Sequence, residues 1–382
     1  TEIILNINSL TDNDGAENSD QDDGSALHMW ADLYVHLGNV YFGANDGEIG
    51  NELWRTDGTT TGTTLIKNLN HEDSDNNGCD IDERCHSYPG NFATFGNALL
   101  FRASNGIYHQ LWISSGSTSS TYTVDSDGYG YHTPQYGCRQ GHYDPSCDIY
   151  VTENYAFLAV CMDSECDSSG NSEWDEGVEL MVTDGTDDNT FIISPSYDYI
   201  GICEGECWGV GGVSSSDYAY MFSWEAVVMN DTLYFTANNT LGTELWRTDG
   251  TNEGTTLVRD ICIGNWETTC HEMAGGGSPK NLFLVPDTNF FYFSATDSHG
   301  TELWKSNGTT AGTSMVFDIN KDEFVEHPDY CYLSNGDNRC YILRGSSSPD
   351  NFILFDQALF FMANSHTNRA LDEVWWLDFN LY

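Results

Sequence analysis

Short runs of alternating apolar and polar residues follow one another along this chain, and uninterrupted amphipathic helical stretches are absent. The clearest run, Glu244-Leu-Trp-Arg-Thr, alternates in type and is rich in strand-forming residues. Asp249-Gly-Thr follows as a turn signal, because Gly adopts positive φ without steric cost and Asp bonds nearby backbone amides. A second β-branched run, Thr256-Leu-Val, comes next. The pattern therefore predicts a β-hairpin.

A second hairpin is predicted upstream of each such unit. Asn281–Ala295 and Asn351–Ala363 each contain two apolar, aromatic-rich runs separated by polar residues. Two consecutive hairpins make a four-stranded antiparallel sheet.

The Glu-Leu-Trp unit recurs, which sets the predicted architecture. Its copies begin 58, 69, 65, 58 and 71 residues apart, at Glu52, Gln110, Glu179, Glu244, Glu302 and Glu373. Periods of this size with four strands per repeat favour β-propeller blades over a helical solenoid. We therefore predict an all-β fold: a single six-bladed β-propeller over residues 1–382, with four antiparallel strands per blade. The Trp residues of the repeat are expected to pack between neighbouring blades: Trp54, Trp112, Trp246, Trp304 and Trp375.

The first residues of the chain resemble the last strand of a blade. Thr1–Asn8 aligns with Thr313–Asn320, whereas no such run follows the copy at Glu373. We expect Ile3–Ile7 to pair into the last blade, which contains Phe352–Phe379. This pairing closes the ring and removes an exposed sheet edge.

The repeated residues resemble the Glu-Leu-Trp-x-x-Asp-Gly-Thr-x-x-Gly-Thr repeat family of secreted and surface-associated proteins. The match is near-perfect at Glu52–Thr63 and Glu244–Thr255, and Glu302–Thr313 carries Asn307 in place of Asp. The copies at Gln110 and Glu373 are degraded. The resemblance implies a propeller scaffold, and a propeller hosts many functions.

The charge of the chain limits its partners. The chain has 13 Lys plus Arg against 59 Asp plus Glu, a formal net charge of −46. Nucleic acid and anionic membrane surfaces are poor partners for such a chain, and no transmembrane run is present. We expect a protein or glycan ligand of a surface or matrix, with self-assembly as a second option.

The 12 Cys residues fall into six closely spaced pairs, each within one inter-strand loop. Local disulfides are expected, although sequence alone does not fix the connectivity. Zinc is the competing interpretation, but Cys-x-x-Cys spacing is absent. The expected pairs are Cys79 with Cys85, Cys138 with Cys147, Cys161 with Cys166, Cys203 with Cys207, Cys262 with Cys270, and Cys331 with Cys340.

Disulfides indicate an oxidising compartment, so we expect an extracellular or cell-surface location. A leader removed upstream, or a longer parent protein, would fit this location. Asn-x-Ser/Thr sequons at Asn230, Asn238 and Asn307 are candidate glycosylation sites, although the motif is weak.

Calcium is the predicted cofactor. The loop from Asp73 to Glu83 contains an Asp-x-Asp-x-Asn-Gly run, in which alternate oxygen ligands wrap one ion and Gly allows a sharp turn. Arg84 replaces the Glu of an EF-hand, so the prediction uses the ligand chemistry and not the EF-hand fold. The alternative is a solvated acidic loop. The candidate ligands are Asp73, Asp75, Asn77, the Cys79 carbonyl, Asp80, Asp82 and Glu83.

A second acidic run is a further candidate for the ion, with a flexible solvated loop as the alternative. Its candidate ligands are Asp12, Asp14, Asp20 and Asp22. The Asp of each Asp-Gly-Thr, such as Asp57, is instead expected to cap its own turn.

The chain contains few sequence patterns that are typical of catalysis. The chain has no His-Glu-x-x-His, no Gly-x-Ser-x-Gly and no phosphate-binding glycine loop. We therefore favour a non-enzymatic binding or structural module of a cell surface, matrix or appendage, stabilised by calcium and disulfides. The alternative is a secreted carbohydrate-active protein, either a lectin or a glycoside hydrolase using two carboxylates at the propeller mouth.

Overall fold

The structure is a computed structural model, and it describes fourteen stretches of the chain. These are residues 7, 32–46, 49–70, 86–105, 109–124, 148–161, 178–193, 225–239, 242–262, 276–325, 332–334, 337–339, 342–366 and 373–379. Within these stretches the chain is built of antiparallel strands, which confirms the all-β prediction.

Five sheets contain four antiparallel strands each, paired in sequence order as two successive hairpins. Sheet 1 contains β1 (Tyr34–His36), β2 (Asn39–Asn45), β3 (Asn51–Thr56) and β4 (Thr64–Lys67). Sheet 2 contains β5 (Gly90–Phe95), β6 (Ala98–Ser104), β7 (His109–Ser114) and β8 (Thr121–Thr123). Sheet 3 contains β9 (Tyr150–Val151), β10 (Ala156–Cys161), β11 (Val178–Thr183) and β12 (Phe191–Ile192). Sheet 4 contains β13 (Ala226–Met229), β14 (Thr232–Asn239), β15 (Gly242–Thr248) and β16 (Thr256–Arg259). Sheet 5 contains β17 (Lys280–Leu284), β18 (Phe291–Asp297), β19 (Gly300–Ser306) and β20 (Ser314–Phe317).

The last large sheet, sheet 6, has three strands among the described residues. Two short ribbons and two single turns of 3-10 helix complete the described elements. The 3-10 turns are Thr118–Ser120 and Asp187–Asn189. The ribbons pair β21 (Glu323–Val325) with β24 (Ile342–Arg344), and β22 (Tyr332–Ser334) with β23 (Asp337–Arg339). Sheet 6 contains β25 (Asp350–Phe355), β26 (Ala358–Ala363) and β27 (Glu373–Asp378).

The hairpin of β13 and β14 closes through a two-residue turn that needs positive φ. Asn230 and Asp231 connect β13 to β14 with φ values of 53° and 57°. Two consecutive positive φ values are typical of a type I′ turn, whose twist matches that of antiparallel strands. Asn and Asp tolerate positive φ better than most residues. The turn chemistry thus fixes the register Met229↔Thr232.

A bulge recurs at the Leu-Trp pair of the motif. In sheet 1, Leu53 pairs with Lys67 while Trp54 pairs with Leu65, so Ile66 is an extra residue in β4. The same shift occurs in sheets 4 and 5. Ile66 is buried in the apolar cluster between sheets 1 and 2, so the bulge supplies a residue to that cluster.

Consecutive sheets stack face to face through alternating side chains. On β6 of sheet 2, Leu99 and Phe101 pack against sheet 1, whereas Leu100 packs against sheet 3. Sheets 4, 5 and 6 repeat this arrangement: Phe293 on β18 faces sheet 4, and Tyr292 faces sheet 6. Strands of a middle sheet, such as β6 and β18, therefore contribute to two cores.

The described sheets fall into two compact units. One contains sheets 1–3 and the other contains sheets 4–6. The prediction of a single domain stays a prediction. Within the units, Trp112 and Trp304 lie in the clusters between sheets 1 and 2 and between sheets 4 and 5, as expected for Trp residues that pack between blades.

Candidate functional site: the joint between consecutive sheets

Asp57 organises the turn after β3. Its Oδ1 accepts hydrogen bonds from the Thr59 backbone N–H at 2.9 Å and from the Thr59 hydroxyl at 2.7 Å. These bonds lower the pKa of the Asp57 carboxyl. The expectation that this Asp caps its own turn is confirmed. Equivalent bonds occur at Asp184, Asp249 and Asn307.

A buried pair of hydroxyl groups closes the base of the same turn. Thr56 and Thr63 place their Oγ1 atoms 2.7 Å apart, and the Gly58 N–H donates to Thr56 Oγ1 at 3.0 Å. Both polar side chains are satisfied although both are buried. The first hydroxyl of the pair has the same two contacts in all five four-stranded sheets. The equivalent pairs are Ser114 with Thr121, Thr183 with Thr190, Thr248 with Thr255, and Ser306 with Thr313.

The two glycines of the motif have different roles. Gly58 has φ of 91°, a conformation that side chains rarely adopt. Gly62 has no such φ, but a Cβ there would lie 1.9 Å from Asp57 Oδ1. The second Gly is therefore required by the capping side chain. Gly254 and Gly312 stand equally close to Asp249 and Asn307.

The turn differs in the two sheets where another residue replaces the second Gly, as expected from the close contact between that Gly and the capping Asp. In sheet 3 the second Gly is replaced by Asn189, whose Nδ2 donates to Asp184 Oδ2 at 2.7 Å. In sheet 2 the Asp is replaced by Ser115 and the second Gly by Ser120. Both loops form a turn of 3-10 helix, Thr118–Ser120 in sheet 2 and Asp187–Asn189 in sheet 3.

In three of the sheets the motif glutamate, Glu52, Glu244 or Glu302, is a fully buried carboxyl group. Glu244 Oε2 accepts the Ile261 N–H at 2.9 Å, and Oε1 accepts the Gly277 N–H at 2.8 Å. Ile261 lies just after the last strand of sheet 4, and Gly277 lies just before the first strand of sheet 5. One side chain therefore ties the end of one sheet to the beginning of the next.

The same contacts recur at two other motif glutamates. Glu302 accepts the Ile319 N–H at 2.8 Å and the Ser347 hydroxyl at 2.6 Å. Glu52 accepts the Leu69 N–H at 2.7 Å, and the Ser87 hydroxyl helps to lower its pKa. The first N–H donor always lies 17 residues after the glutamate.

The receiving segment is a second repeated motif, which the sequence analysis missed. It begins at a buried Ser or Gly and continues with a Pro and an Asn of positive φ, as in Ser347-Ser-Pro-Asp-Asn351. The Ser347 N–H donates to the Thr301 carbonyl at 2.9 Å, and the Ser347 carbonyl accepts the Asn364 N–H at 2.9 Å. The sequence shows this motif as Ser/Gly-x-Pro-x-Asn. It precedes the first strands of sheets 2, 5 and 6. The other copies are Ser87–Asn91 and Gly277–Asn281.

Burial changes the pKa of the three motif glutamates. Desolvation raises the pKa of Glu52, Glu244 and Glu302 from 4.5 to about 7, against the lowering effect of their hydrogen-bond donors. Asp260 adds to the rise at Glu244, and Asp318 adds to it at Glu302. We call each glutamate with its N–H donors and receiving segment a sheet joint.

A basic residue contacts the next sheet at two of the interfaces. Lys67 of sheet 1 lies 5.4 Å from the ring centroid of Trp112 in sheet 2, and its Nζ donates to the Thr121 carbonyl at 2.6 Å. Arg259 of sheet 4 lies 5.6 Å from the ring centroid of Trp304 in sheet 5 and donates to the Thr313 carbonyl. These contacts combine a cation–π interaction with a charge-assisted hydrogen bond.

The interface between sheets 2 and 3 uses a different polar group. Gln110 stands at the glutamate position of sheet 2. The buried Arg102 guanidinium donates to the Ala159 carbonyl of sheet 3 at 3.3 Å. Burial lowers the pKa of the adjacent His109 to about 4, and the Arg102 charge acts in the same direction.

Sheet 6 departs from the other sheets. Glu373 occupies the motif position but is exposed, and it accepts the Ser365 hydroxyl at 2.7 Å. The face of sheet 6 away from sheet 5 is also open: Val374 is 74% exposed and Trp376 is 59% exposed. The corresponding Leu303 of sheet 5 is buried against sheet 6.

The predicted calcium ligands lie outside the described residues, both in the Asp73–Glu83 loop and in the run from Asp12 to Asp22. Within the described part of the chain, no group of three or more His, Cys, Asp or Glu side chains is placed to hold a metal ion. The calcium sites therefore stay predictions.

Two predicted disulfide residues lie in described stretches. Cys262 is buried and disulfide-bonded. Cys161 is the last residue of β10. The remaining ten Cys residues lie outside the described residues, so none of the six local pairs is shown and all six stay predictions. These ten are Cys79, Cys85, Cys138, Cys147, Cys166, Cys203, Cys207, Cys270, Cys331 and Cys340.

The three sequons have different surroundings. Asn230 is exposed in the β13–β14 turn, and its Nδ2 donates to Asn289 Oδ1 at 3.2 Å. Asn307 caps its own turn, so its side chain is already engaged. Asn238 lies in β14. Separately, no helix of the described part has the length and hydropathy of a membrane span.

Comparisons with known proteins place the chain in no family. No protein-family model matches it, and no curated protein matches it. A puromycin hydrolase structure aligns at 12% identity, covering 94% of this chain and 53% of that chain, with a TM-score of 0.37. A neuraminidase-like protein from A/bat/Guatemala aligns at 12% identity, covering 92% and 87%, with a TM-score of 0.35. BamB from Moraxella catarrhalis aligns at 10% identity, covering 87% and 66%, with a TM-score of 0.30. These TM-scores are all below 0.5, so we infer neither fold nor function from them.

Proposed function

We propose that this chain is an extracellular β-propeller of the Glu-Leu-Trp-x-x-Asp-Gly-Thr repeat type. In this proposal it acts as a binding or structural module of a cell surface, matrix or appendage. One observation carries the proposal: the repeated residues are used to hold sheets together. In the best copies the glutamate binds the next sheet, the Asp caps a turn, and each Gly meets a steric requirement. A motif used in this way builds a scaffold and leaves ligand recognition to the loops.

The proposal includes six blades and closure by the first residues. Three sheets stack in each unit through the same type of interface, which is the arrangement that a propeller repeats around its axis. Residues 1–8 carry the sequence of a fourth strand, and sheet 6 has three described strands and an open face.

Calcium and disulfides complete the proposed module. A formal net charge of −46 opposes compaction, and a divalent ion in the Asp73–Glu83 loop relieves part of the local repulsion. In this proposal, six local disulfides cross-link the long inter-strand loops. Both features fit an extracellular medium, which supplies calcium and keeps thiols oxidised.

A binding assay with an activity control tests the functional proposal. The purified protein, in calcium-containing buffer, is applied to glycan arrays and to immobilised extracellular matrix proteins. We expect saturable binding to one of these classes, without release of cleaved product from the bound glycan. Turnover of a glycan would contradict the proposal and favour the glycosidase alternative. No binding to either class would contradict the binding role.

A further inference from the structure

We propose that sheets 1 and 4 each carry a docking site for the turn of the following sheet, and that this site selects which turn sequence can follow. The site, which we call the turn cradle, lies at the bulge of the fourth strand. In sheet 4 the cradle consists of Tyr234, the Val258 carbonyl and Arg259, and it contacts the turn 307–313 of sheet 5. The equivalent groups of sheet 1, which contact the turn 115–121 of sheet 2, are Tyr41, the Ile66 carbonyl and Lys67.

The bulge supplies a backbone carbonyl to the following turn. Val258 is the extra residue of β16, and its carbonyl accepts the Thr310 hydroxyl of sheet 5 at 2.7 Å. In sheet 1 the carbonyl of the extra residue Ile66 accepts the Thr118 hydroxyl of sheet 2 at 2.6 Å. The extra residue of a bulge is left out of the regular strand pairing, so its carbonyl can accept a donor from the neighbouring sheet.

The residue after the bulge contacts the same turn three residues further on. Arg259 donates to the Thr313 carbonyl, and Lys67 donates to the Thr121 carbonyl at 2.6 Å. The turn therefore donates one hydrogen bond to the cradle and accepts another from it. This two-point contact fixes both the position and the direction of the turn on the preceding sheet.

The Tyr of the cradle leaves no room for a side chain at the first Gly of the turn. A Cβ at Gly308 would lie 2.1 Å from Tyr234 Oη, and a Cβ at Gly116 would lie 3.0 Å from Tyr41 Oη. Tyr234 is buried beside Phe291, with ring centroids 5.1 Å apart, so its ring cannot easily move aside. Positive φ alone would also permit Asn or Asp, but this contact requires Gly.

Where the cradle differs, the turn differs as well. In sheet 2, β7 and β8 pair without a bulge, and sheet 3 has Asp187 in place of the donating Thr. A carboxylate has no proton to donate to a carbonyl. Sheet 5 keeps the bulge and Tyr292, but no Asp-Gly-Thr follows in sheet 6, and Phe379 stacks on Tyr292 with ring centroids 5.9 Å apart. This correspondence is expected if the cradle selects the turn.

Alanine at two turn glycines tests the steric part of the selection. Gly58 and Gly308 have φ of 91° and 82°, so alanine strains the backbone similarly at both. No atom of the described residues lies within 4 Å of a Cβ at Gly58, whereas Tyr234 occupies that space at Gly308. In denaturant unfolding, we expect Gly308→Ala to lower the folding equilibrium constant about tenfold more than Gly58→Ala. Equal losses would overturn the proposal.

Removal of single hydroxyl groups tests the contact with the bulge. Thr310→Val and Thr118→Val nearly keep the shape of the side chain but lose the donor. Each is expected to lower the folding equilibrium constant about fivefold, the usual effect of one hydrogen bond. Ser119→Ala is the matched control, because Ser119 is exposed in the same turn as Thr118 and sheet 5 carries Ala311 at this position.

Hydrogen exchange separates docking between sheets from a role within the turn. In Thr310→Val we expect faster exchange in β16 of sheet 4 as well as in the turn of sheet 5. The cradle lies within each unit, so this result does not depend on whether the ring closes. Faster exchange in sheet 5 alone would overturn the proposal, as would a loss of stability in Ser119→Ala equal to that in Thr118→Val.

Discussion

Gly254 shows how a single residue of the repeat fixes a turn. A Cβ at this position would lie 2.0 Å from Asp249 Oδ1, the atom that accepts the Thr251 N–H and hydroxyl. The side chain of Asp249 therefore occupies the space that the side chain of any larger residue at position 254 would need. Sheets 2 and 3 lack this Gly and form 3-10 turns instead.

Gly254→Ala is expected to lower the free energy of unfolding by about 1–3 kcal/mol, the usual range for an overpacked site. The cause is the contact with Asp249 and not backbone strain, since Gly254 has no positive φ. Denaturant unfolding measures the loss.

A double variant that combines Asp249→Ala with Gly254→Ala separates these causes. Once the Asp side chain is gone, the added methyl group has room, so the alanine at 254 costs less than it does alone. A double-mutant cycle should therefore give a clear interaction energy. Strictly additive losses would contradict the steric account of the motif.

At the scale of elements, two strands and one receiving segment meet at each sheet joint. The alternating runs sufficed to predict the hairpins, because alternation and turn residues act locally. The burial of Glu244 was not predictable in this way, since an isolated glutamate in a strand usually faces solvent. Its N–H donors lie 17 and 33 residues further along, and the second spacing varies with loop length: Ser347 lies 45 residues after Glu302.

The contacts of Arg259 with Trp304 and with the Thr313 carbonyl, which we call the Arg259 clamp, give a prediction at the scale of elements. Arg259→Ala removes the stacking on Trp304 and the bond to the Thr313 carbonyl, so stability is expected to fall by about 1–2 kcal/mol. Thermal or denaturant unfolding measures this change.

Lys305→Ala is the matched control. Lys305 lies 5.6 Å from the ring centroid of Phe290, which directly precedes β18 of the same sheet, so this cation–π contact lies within one sheet. We expect a smaller effect than for Arg259→Ala. An equal or larger loss in the control would mean that the clamp does not join the sheets.

At the scale of the whole molecule, the repeat predicted the stack of similar sheets, and each unit shows three of them. The number of copies and their spacing carried that prediction, because each copy supplies one hairpin of a sheet. The closing strand depends on a contact between distant segments, and the calcium loops depend on an ion that the sequence does not show. Apart from Ile7, these residues lie outside the described part of the chain, and both the calcium loops and the closing strand stay predictions.

Calcium is expected to stabilise the whole molecule through the Asp73–Glu83 loop. Chelation should lower the melting temperature and added calcium should raise it, because the ion binds the folded state. Magnesium should substitute poorly, since it requires a tighter octahedral shell. Differential scanning calorimetry with each ion measures these shifts.

Asp75→Ala should weaken the calcium response, whereas Asp57→Ala should change stability and leave the response intact. Asp57 is a suitable control because its carboxyl is engaged within its own turn. A melting temperature that does not change on chelation would contradict calcium binding and would indicate that the Asp73–Glu83 loop is a solvated acidic stretch.

Hydrogen exchange at the first strand tests the proposed ring most directly. If residues 3–7 pair with β27, the amides of residues 3–7 are protected as strongly as those of β4 and β20. Amides of residues 3–7 that exchange at the rate of an unstructured peptide, while β25 and β26 stay protected, would contradict closure of the ring by the first strand.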